Sequence, residues 1–289
     1  MNSSAKVETL LEAMPYLQKY AGKTVVVKYG GNAMINAELK DAVMHDIVLL
    51  KLLGMKPVLS HGGGPGINKM LEKLDIPVQF INGLRYTSED TMRVVEAVLV
   101  GQVNTELVGY INKLGGKAVG LSGVSGEIYH CRRRSEELGF VGDIDAVNTD
   151  AIRAVLDAGF IPVVAPVGTD GQGNTYNING DTAAGKLASA LGAEKLILLT
   201  DIEGLCNDIK LRDVISYLNV RDVQRLKDRG VIAGGMIPKI DCCVQAIEEG
   251  VASVHIIDGR RPHSILCEMF TNEDLGTAIG TEKDSIGIK

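Results

Sequence analysis

The chain has 289 residues, of which 45% are hydrophobic and 23% charged, the ordinary composition of a soluble globular protein with ample core. Its net charge of −6, with no Trp and only four Phe, excludes the broad basic face and base-stacking platforms of nucleic-acid-binding proteins. No apolar run approaches the ~20 residues needed to span a membrane, and no signal peptide is recognisable. Five scattered cysteines without a CxxC spacing indicate reduced thiols in a cytoplasmic protein.

The hydrophobic pattern predicts an N-terminal helix followed by alternating strands and helices. Apolar residues recur at helical spacing from Val7 to Tyr20, which predicts a helix over 5–20. Strands are predicted near 24–28, 57–60, 78–81, 117–122, 161–165, 195–200 and 253–257. Helices are predicted over 36–53, 66–74, 88–113, 148–158, 181–191, 220–229, 238–249 and 262–270. This order is typical of an α/β protein with a mainly parallel, helix-flanked sheet.

Two of the predicted strands end in glycine-rich turns. Three valines, Val25–Val27, lead into Lys28 and the pair Gly30–Gly31, and the next strand leads into a run of glycines over 62–64. Ligands of parallel sheets bind beyond the carboxyl ends of the strands. An ammonium group such as that of Lys28 is costly to bury without an anionic partner. We therefore expect the two turns to hold a phosphate group together with a second ligand.

The longest predicted helix, 88–113, is apolar along one side. Thr87 and Asp90 predict a capping box at its start. The apolar side carries Val95, Leu99, Val103, Leu107, Val108 and Ile111. Two interpretations stay open for this side, namely burial within the subunit and a seam between two subunits.

A polar tract rich in Asn and Gly, 169–181, predicts a turn and a short strand ahead of the helix over 181–191. Asp181 suits the first turn of that helix, where a carboxylate faces the positive end of the helix dipole. The basic run Arg132–Arg134 is interpreted as a solvated hairpin tip rather than as a nucleic-acid patch.

Several well-known ligand motifs are absent or incomplete. The segment Gly180–Leu187 fits GxxxxGK, but Leu187 stands where a phosphate-binding loop needs Ser or Thr, and the stretch is helix-forming. No GxGxxG follows a predicted strand, which disfavours a dinucleotide site. Neither a metal-binding HExxH or His/Cys cluster nor a GxSxG sequence is present, so no catalytic metal site and no serine nucleophile are expected.

A second lysine, Lys239, lies in the motif 234–239, where Pro238 suits the first helical position. An ammonium group in a first helical turn opposes the helix dipole, unless an anion binds there as well. Two ammonium groups, backbone amides and one orienting carboxylate suit phosphoryl transfer, which needs positioning and charge cancellation more than covalent chemistry. No candidate general base lies near the turns, which favours an acceptor that is already an anion, such as a carboxylate.

Six motifs in order along the chain are similar to those of the amino-acid kinase family, and specifically to its members that phosphorylate N-acetyl-L-glutamate in arginine biosynthesis. The motifs are Lys28–Met34, His61–Pro65, Asn82–Thr87, Asn177–Asp181, Thr200–Gly204 and Gly234–Lys239. The resemblance covers essentially the whole chain. It implies a single domain over 1–289 with a three-layer αβα sandwich around a central, mainly parallel sheet. The N-terminal lobe would span 1–190 and the C-terminal lobe 191–289.

The resemblance also implies roles for individual residues. Lys28 and Lys239 would neutralise the transferring phosphoryl group, and Asp181 would hold both lysines in place. N-acetyl-L-glutamate would bind in the N-terminal lobe, its α-carboxylate pairing with the fork of Arg85. The substrate-binding residues would be Gly63, Gly64, Arg85 and Asn177. ATP would bind in the C-terminal lobe with its magnesium held mainly by the phosphates, near Gly30, Gly31, Thr200, Asp201 and Met236.

Two terminal segments resemble those of arginine-inhibited members of the family. The helix over 5–20 is similar to an extension that interlaces dimers, which implies a homo-oligomer: a dimer, and a hexamer built as a trimer of dimers. The stretch Phe270–Thr277 resembles a segment that helps bind arginine, with Asp274 where glycine is expected. Feedback inhibition by L-arginine is therefore expected. Its binding residues would include Tyr20, Glu273 and Gly276.

Two other functions stay open on the sequence alone. The chain could be a sister kinase acting on glutamate, aspartate, carbamate or a nucleoside monophosphate, although the Asn82–Arg85 context favours an N-acylated acceptor with an α-carboxylate. It could instead be a non-catalytic sensor of nucleotide and arginine. The presence of Lys28, Asp181 and Lys239 argues against lost catalysis.

Overall fold

The computed structural model describes residues 3–208, 213–273 and 275–281. Its strands are β1 Thr24–Tyr29, β2 Lys56–His61, β3 Phe80–Ile81, β4 Leu84–Arg85, β5 Ala118–Ser122, β6 Tyr129–Arg133, β7 Gly142–Val147, β8 Ile161–Ala165, β9 Val167–Thr169, β10 Thr175–Asn177, β11 Lys195–Thr200, β12 Cys206–Asp208, β13 Asp213–Val214, β14 Tyr217–Asn219, β15 Ser253–Asp258 and β16 Gly276–Gly280. Its helices are α1 Ser3–Tyr20, α2 Ala37–Leu52, α3 Gly64–Lys73, α4 Glu89–Glu96, α5 Thr105–Lys113, α6 Asp150–Asp157, α7 Gly180–Leu191, α8 Val223–Asp228, α9 Met236–Glu248 and α10 Ser264–Phe270.

The central sheet has eight strands in the order β14-β16-β15-β11-β1-β2-β8-β5. All neighbouring pairs are parallel except β15 and β16, which run antiparallel. Helices cover both faces, so the predicted three-layer α/β architecture is confirmed. The predicted main-sheet strands agree with the observed ones to within one residue at each end, apart from the segment near 78–81.

The valine run of β1 forms a central strand because both of its faces are covered. Val26 packs with Leu187 of α7 in the hydrophobic core on one face. Val25 and Val27 pack with Ile47 of α2 in the core on the other face. All three valines are fully buried, and each contributes about 1.5–3 kcal/mol of transfer free energy. A strand buried on both sides carries continuous apolar sequence instead of alternation.

The register of β1 and β2 brings the two glycine turns together. Lys28 lies beside Ser60 and Tyr29 beside His61, so both strands end at the same level of the sheet. The N–H of Gly62 donates to the carbonyl of Tyr29 at 2.8 Å. Both turns therefore open at one edge, as expected for ligand sites of parallel sheets.

A second sheet was not expected from the sequence. It has four strands in the order β10-β9-β6-β7, and only its strand β10 corresponds to the short strand predicted in the polar tract. Two of these strands have three residues each, too short for a clear alternating pattern. The run Arg132–Arg134 ends the first strand of the β6–β7 hairpin and lies beside carboxylates, with Arg134 3.0 Å from Asp143.

The segment near 78–81 forms a separate hairpin, and its prediction as part of the alternating sheet order was wrong. Within the described part of the chain, strand β3 pairs only with β4, through Phe80 with Arg85 and Ile81 with Leu84. Asn82 and Gly83, both with positive φ of 50° and 79°, make the two-residue turn that such hairpins favour. This hairpin brings Arg85 close to the two glycine turns, with which it lines one cavity.

The predicted helix 88–113 is observed as α4 and α5 joined by a π-helix over Ala97–Asn104. By length and composition alone this helix is a weak candidate for a membrane span, and a buried core helix has the same properties. Val95, Leu99 and Ile111 on its apolar side are at most 2% exposed, so this side lies in the core. Burial within the subunit is therefore confirmed for these residues, and the seam between two subunits stays a prediction.

The start of this helix differs from the predicted capping box. Ser88 is the N-cap, and its hydroxyl accepts from the N–H of Thr91 at 3.2 Å. Thr87 instead donates its hydroxyl hydrogen to the carbonyl of Arg85. Ser and Thr both cap helices well, so the sequence pattern alone does not distinguish two adjacent candidates.

Candidate active site

A cavity of about 280 Å³ opens beyond the carboxyl ends of β1 and β2. It brings together eight of the predicted site residues: Lys28, Gly30, Gly31, Gly63, Gly64, Arg85, Asn177 and Asp181. These residues come from two strand ends, one hairpin, one short strand and the start of α7. The sheet edge therefore gathers segments that are far apart in sequence.

Asp181 lies between the two predicted catalytic lysines. Its carboxylate is 3.0 Å from Lys28 Nζ through one oxygen and 2.5 Å from Lys239 Nζ through the other. Burial opposes ionisation of this carboxyl group, but the two ammonium groups hold the pKa of Asp181 well below its usual range. The three side chains are only 13–18% exposed, so the cluster is one compact, positively charged group.

Helix α7 positions Asp181 through its capping residue. The side chain of Asn179 accepts from the N–H groups of Asp181 and Thr182 at 2.9 and 3.1 Å. The Asp181 carboxylate therefore lies in the first helical turn, where the helix dipole favours negative charge. Its role as a helix-start residue and its contact with two lysines occur together. On α9, the thiol of Cys242 donates to the Asp181 carbonyl at 3.0 Å.

The first glycine turn requires glycine at Gly31. Its φ is +68°, and a Cβ built there would lie 2.5 Å from a carboxylate oxygen of Asp201. At Gly30 a Cβ would lie 2.5 Å from Lys28 Nζ. The positive φ of Gly31 favours glycine there, and at both positions a side chain would have to displace the charged group beside it.

Arg85 is the buried cation at the other side of the cavity. Only 9% of the residue is exposed, and burial lowers its pKa from the ordinary value. One guanidinium nitrogen donates to Asn68 Oδ1 at 2.6 Å, and the guanidinium lies 4.9 Å from the ring centre of Phe80. Its Nη1 is buried and has no hydrogen-bond acceptor among the described residues. A buried donor without a partner costs about 1–3 kcal/mol, so an acceptor from a ligand is expected.

Asn177 lies at the end of β10 on the wall of the same cavity. Its side-chain amide donates to Thr87 Oγ1 at 3.1 Å. Thr87 is fully buried and also holds the carbonyl of Arg85. Asn177 and Arg85 are therefore connected through one threonine, which fixes their relative positions.

The predicted nucleotide residues outside the cavity lie along the same sheet edge. Thr200 ends β11 and is 7% exposed, and its hydroxyl donates to the carbonyl of Ile202 at 3.1 Å. Asp201 follows it and faces Gly31. Met236 begins α9, the helix that carries Lys239. Asp201 is thus tied to the first glycine turn and Met236 to the helix of Lys239.

The predicted arginine-binding residues are less clearly grouped. Tyr20 is buried under the ammonium group of Lys195, 5.5 Å from its ring centre. Glu273 is exposed and pairs with Arg261 at 2.7 Å, and Gly276 begins β16. No hydrogen bond or ion pair within the described ranges joins Tyr20, Glu273 and Gly276 to one another. Asp274 lies outside the described residues.

A buried charged cluster near Tyr20 was missed from the sequence. Glu268 Oε1 lies 3.1 Å from Lys195 Nζ and 2.6 Å from His255 Nδ1. Burial raises the pKa of Glu268, but His255 and Lys195 outweigh it and lower the pKa to about 2. The sequence did contain a signal for it, since Lys195 and His255 lie in otherwise apolar strands. A charged group buried in such a strand needs a partner of opposite charge.

Three partners of the predicted site residues were also missed. Asn68, Phe80 and Thr87 hold Arg85 and Asn177 but contribute no recognisable chemistry of their own. Phe80 could have been found because Asn82 and Gly83 are typical of a hairpin turn, across which Phe80 lies opposite Arg85. Asn68 could not, because the contact depends on how α3 packs beside the hairpin.

The arrangement is suited to bind an anion at each end. Arg85, with its unpartnered donor, lines one side of the cavity. Lys28 and the glycine backbones line the other, and Asp181 joins Lys28 to Lys239. Such a site can orient an acceptor with two negatively charged ends and cancel charge on a phosphoryl group between them. Among the described residues no group of three His, Cys, Asp or Glu side chains could hold a metal ion.

Comparison with known proteins agrees with this geometry. The sequence profile of the Amino acid kinase family matches residues 23–258. The acetylglutamate kinase of Thermoanaerobacter pseudethanolicus is 52% identical over 281 residues, covering 96% of this chain and 94% of that protein. The N-acetylglutamate synthase of Neisseria gonorrhoeae, solved with coenzyme A and N-acetyl-glutamate, superposes with a TM-score of 0.84 at 28% identity, covering 96% of this chain but 63% of the synthase.

The same synthase solved with coenzyme A and L-arginine gives a TM-score of 0.80 at 26% identity over 96% of this chain and 65% of the synthase. The profile match extends over most of the chain, and the likeness to the bacterial kinase extends over nearly all of it. The chain therefore belongs to the amino acid kinase family and, within that family, groups with the acetylglutamate kinases.

Proposed function

We propose that this enzyme transfers the γ-phosphoryl group of ATP to the γ-carboxylate of N-acetyl-L-glutamate in arginine biosynthesis. A carboxylate oxygen of the acceptor forms the new P–O bond, and the bond from the γ-phosphorus to the bridging oxygen breaks. The products are an acyl phosphate and ADP. Because the acceptor is already an anion, no general base is needed.

The observation that carries this proposal is the pair of cationic ends in one cavity. Arg85 is buried with an unused donor, and it offers a carboxylate the two-point contact that lysine cannot make. Lys28 lines the same cavity and is joined through Asp181 to Lys239. An acceptor with its α-carboxylate on Arg85 would direct its γ-carboxylate towards the lysines.

The residues around the lysines support in-line transfer. The ammonium groups of Lys28 and Lys239 would cancel charge on the equatorial oxygens in the transition state. Asp181 holds both groups at hydrogen-bond distance. The backbone amides of the glycine turns would contact the phosphoryl and acceptor oxygens. These four glycines are Gly30, Gly31, Gly63 and Gly64.

We assign ATP to the C-terminal lobe, 191–289, and the acceptor to the N-terminal lobe, 1–190. Thr200 ends β11, Asp201 follows it beside Gly31, and Met236 begins α9, the helix that carries Lys239. ATP would bring Mg²⁺ as a phosphate complex. A biosynthetic enzyme of this kind would work in the cytoplasm.

We also propose that L-arginine inhibits the enzyme at the junction of α1 and the C-terminal segment. The hydroxyl of Tyr16 donates to Asn272 Oδ1 at 2.7 Å, which joins these two parts of the chain. Tyr20 and Glu273 lie on the joined elements, and a related synthase was solved with L-arginine. The expected result is an increase in the apparent KM for N-acetyl-L-glutamate when arginine is added. An unchanged KM would remove this part of the proposal.

The reaction is tested by trapping the acyl phosphate with hydroxylamine. The enzyme is incubated with Mg·ATP and, separately, N-acetyl-L-glutamate, L-glutamate, L-aspartate, or bicarbonate with ammonia. The proposal expects hydroxamate and ADP only with N-acetyl-L-glutamate. Turnover with another acceptor would contradict the assigned substrate, and ATP binding without any turnover would favour a nucleotide sensor.

A matched pair of variants controls the assay. Lys239→Ala removes one ammonium group from the cluster and should abolish hydroxamate formation. Lys186→Ala removes an ammonium group from α7, where Lys186 pairs with Glu249 at 2.5 Å outside the cavity. Lys186→Ala should leave the rate nearly unchanged. Equal rates for both variants would contradict the role given to Lys239.

A further inference from the structure

The π-helix over Ala97–Asn104 lies directly against the second glycine turn. A Cβ on Gly63 would collide with the side chain of Leu99, and a Cβ on Gly66 would lie 3.1 Å from Val98. A π-helix is rare and occurs frequently at functional sites. Its contact with the turn places the irregular segment directly beside the candidate active site.

The last residue of this segment, Asn104, is a buried amide with three partners. It is 4% exposed. Its Nδ2 lies 3.0 Å from His61 Nε2, 2.9 Å from the carbonyl of Val163 and 3.2 Å from the carbonyl of Leu121. The amide nitrogen has two hydrogens for these three acceptors, and it joins residues of three strands, β2, β8 and β5, to one helix. Glycine at position 120 makes space for this side chain, because a Cβ there would collide with Asn104 Oδ1.

The contacts of His61 define which ring nitrogen carries the hydrogen. Its Nδ1 lies 2.8 Å from the carbonyl of Gly62, and a carbonyl can only accept, so Nδ1 must donate. Nε2 then accepts from the Asn104 amide, whose nitrogen is the only one of its two polar ends that can donate. His61 is fully buried, and burial lowers its pKa to about 4. The ring is therefore neutral at neutral pH, with one fixed tautomer.

This tautomer determines the direction of the peptide between Gly62 and Gly63. The imidazole holds the Gly62 carbonyl on the protein side, while the Gly62 N–H donates to Tyr29. In a trans peptide the carbonyl and the following N–H point in opposite directions. Holding the Gly62 carbonyl therefore turns the Gly63 N–H away from the ring. Gly63 lines the cavity, and an N–H that faces it is a donor for an anionic oxygen.

We propose that Asn104 is a positioning residue for phosphoryl transfer: through His61 it fixes the Gly62–Gly63 peptide so that the Gly63 N–H faces the reacting oxygens. The π-helix is the means by which the helix reaches the strand ends with this amide. The inference rests on the proposed function, because it needs an anion at Gly63 to receive the hydrogen bond. Asn104 itself does not line the cavity.

The first test is the tautomer of His61 in the unmodified enzyme. Histidine labelled with ¹⁵N in the ring gives different shifts and coupling patterns for nitrogens with and without hydrogen. The signal of His61 among five histidines is identified by its loss in His61→Gln. A hydrogen on Nδ1 is expected. A hydrogen on Nε2 would overturn the proposal without any further variant.

The second test is Asn104→Asp, which keeps the shape and removes the donor. The carboxylate would face Nε2 and two carbonyl oxygens, so the stable arrangement moves the ring hydrogen from Nδ1 to Nε2 and releases the Gly62 carbonyl. We expect kcat to fall by about 10–100-fold, with the KM for ATP within about twofold of the unmodified enzyme. The matched control is Asn112→Asp on the same helix, because Asn112 only accepts, from the N–H of Ala118 at 2.9 Å.

Each result of these measurements decides the proposal. A displaced ring hydrogen with lower kcat in Asn104→Asp, and neither change in Asn112→Asp, supports it. An unchanged kcat in Asn104→Asp overturns it, whether or not the hydrogen moves. If Asn104→Asp does not fold, Gly120→Ala displaces the same amide and is measured in the same two ways. Absence of turnover in the unmodified enzyme contradicts the proposed function, whereas the tautomer is measured without turnover.

Discussion

Asp181 connects two lysines that lie in different parts of the chain, one at the end of β1 and one in the first turn of α9. Without it, the two ammonium groups would repel each other across the cavity. An ammonium in a first helical turn is also opposed by the helix dipole. The carboxylate offsets both effects, so the lysines are positioned to bind an anion. Positioning of this kind is where the protein contributes most to phosphoryl transfer.

Replacing Asp181 with asparagine tests this arrangement. Asp181→Asn keeps the shape of the side chain and its place in α7 but removes the charge that pairs with Lys28 and Lys239. We expect kcat to fall by about 100-fold or more, because the lysines separate. Steady-state kinetics with both substrates give the change. Asp150→Asn, at an exposed carboxylate in the first turn of α6, is the control. A kcat for Asp181→Asn close to that control would show that the lysines need no common partner.

Arg85 tests the other end of the cavity. Arg85→Lys keeps a positive charge but loses the planar fork, so one hydrogen bond to the substrate α-carboxylate disappears. The KM for N-acetyl-L-glutamate should rise about 10–100-fold, in line with 1.5–3 kcal/mol for a charged hydrogen bond. The KM for ATP should not change.

The control for Arg85→Lys is Arg133→Lys. The Arg133 guanidinium also lies over an aromatic ring, 4.7 Å from the centre of Phe140, but it pairs with Glu136 at 3.0 Å and does not line the cavity. Kinetic constants should be unaffected there. An equal rise in KM for both variants would mean that Arg85 acts through packing and not through the acceptor.

At the scale of elements, helix α1 has an exposed apolar side. Val7, Leu10, Leu11 and Met14 are 45–66% exposed, whereas the other end of the helix is buried at Tyr20. Large apolar side chains in a row on one helix are typical of a contact surface. This agrees with the proposed homo-oligomer, in which the helix contacts a second copy of the chain.

Leu10→Glu combined with Leu11→Glu tests that contact. Charges on this side should lower the molar mass in solution, from a hexamer to a dimer, because they cannot be buried against a partner. Light scattering coupled to size exclusion measures the mass, and circular dichroism verifies the fold. Glu8→Gln with Glu12→Gln changes the same helix without adding charge and should leave the mass unchanged. A constant mass in the leucine variant contradicts the role of α1 in assembly.

Some helices and strands could be predicted from the sequence, and others could not. The apolar run of β1 and the helical spacing of α2 predict elements because each pattern has one dominant period. The second sheet was missed because β9 and β10 have three residues each and because β6 and β7 carry several charged residues. The cap of α4 was misplaced by one residue. The π-helix could not be predicted, since no sequence period distinguishes it from an α-helix. The role of Asn104 could therefore not be predicted from the sequence, although its contact with His61 follows directly from the fold.

The residues of the candidate site likewise fall into those that the sequence could predict and those that it could not. The charged residues of the site could be predicted, because a charged side chain beside a glycine turn or at a helix start indicates a partner or a ligand of opposite charge. These residues are Lys28, Asp181 and Lys239. Asn68 and Thr87, which hold the predicted residues in place, could not. Their contacts join segments that are distant along the chain, so they depend on packing that local patterns do not contain.

At the scale of the whole molecule, buried carboxylates determine the response to acid. Glu268 and Asp181 both have a lowered pKa in the folded state, because neighbouring cations outweigh the effect of burial. A lowered folded-state pKa stabilises the fold above the unfolded-state pKa, and this stability is lost as the pH falls through the folded-state value. For Glu268 the window extends from the ordinary value of 4.5 down to about 2.

We therefore expect the free energy of unfolding to decrease as the pH is lowered through this window, by up to about 1.4 kcal/mol per pH unit for each such group. Urea unfolding at a series of pH values measures the slope. Glu268→Gln is less stable near neutral pH, since Lys195 and His255 lose their partner, but its stability should depend less steeply on pH within the window. A slope equal to that of the unmodified enzyme would mean that Glu268 does not titrate there. The acid sensitivity would then come from Asp181, whose own asparagine variant would show the shallower slope.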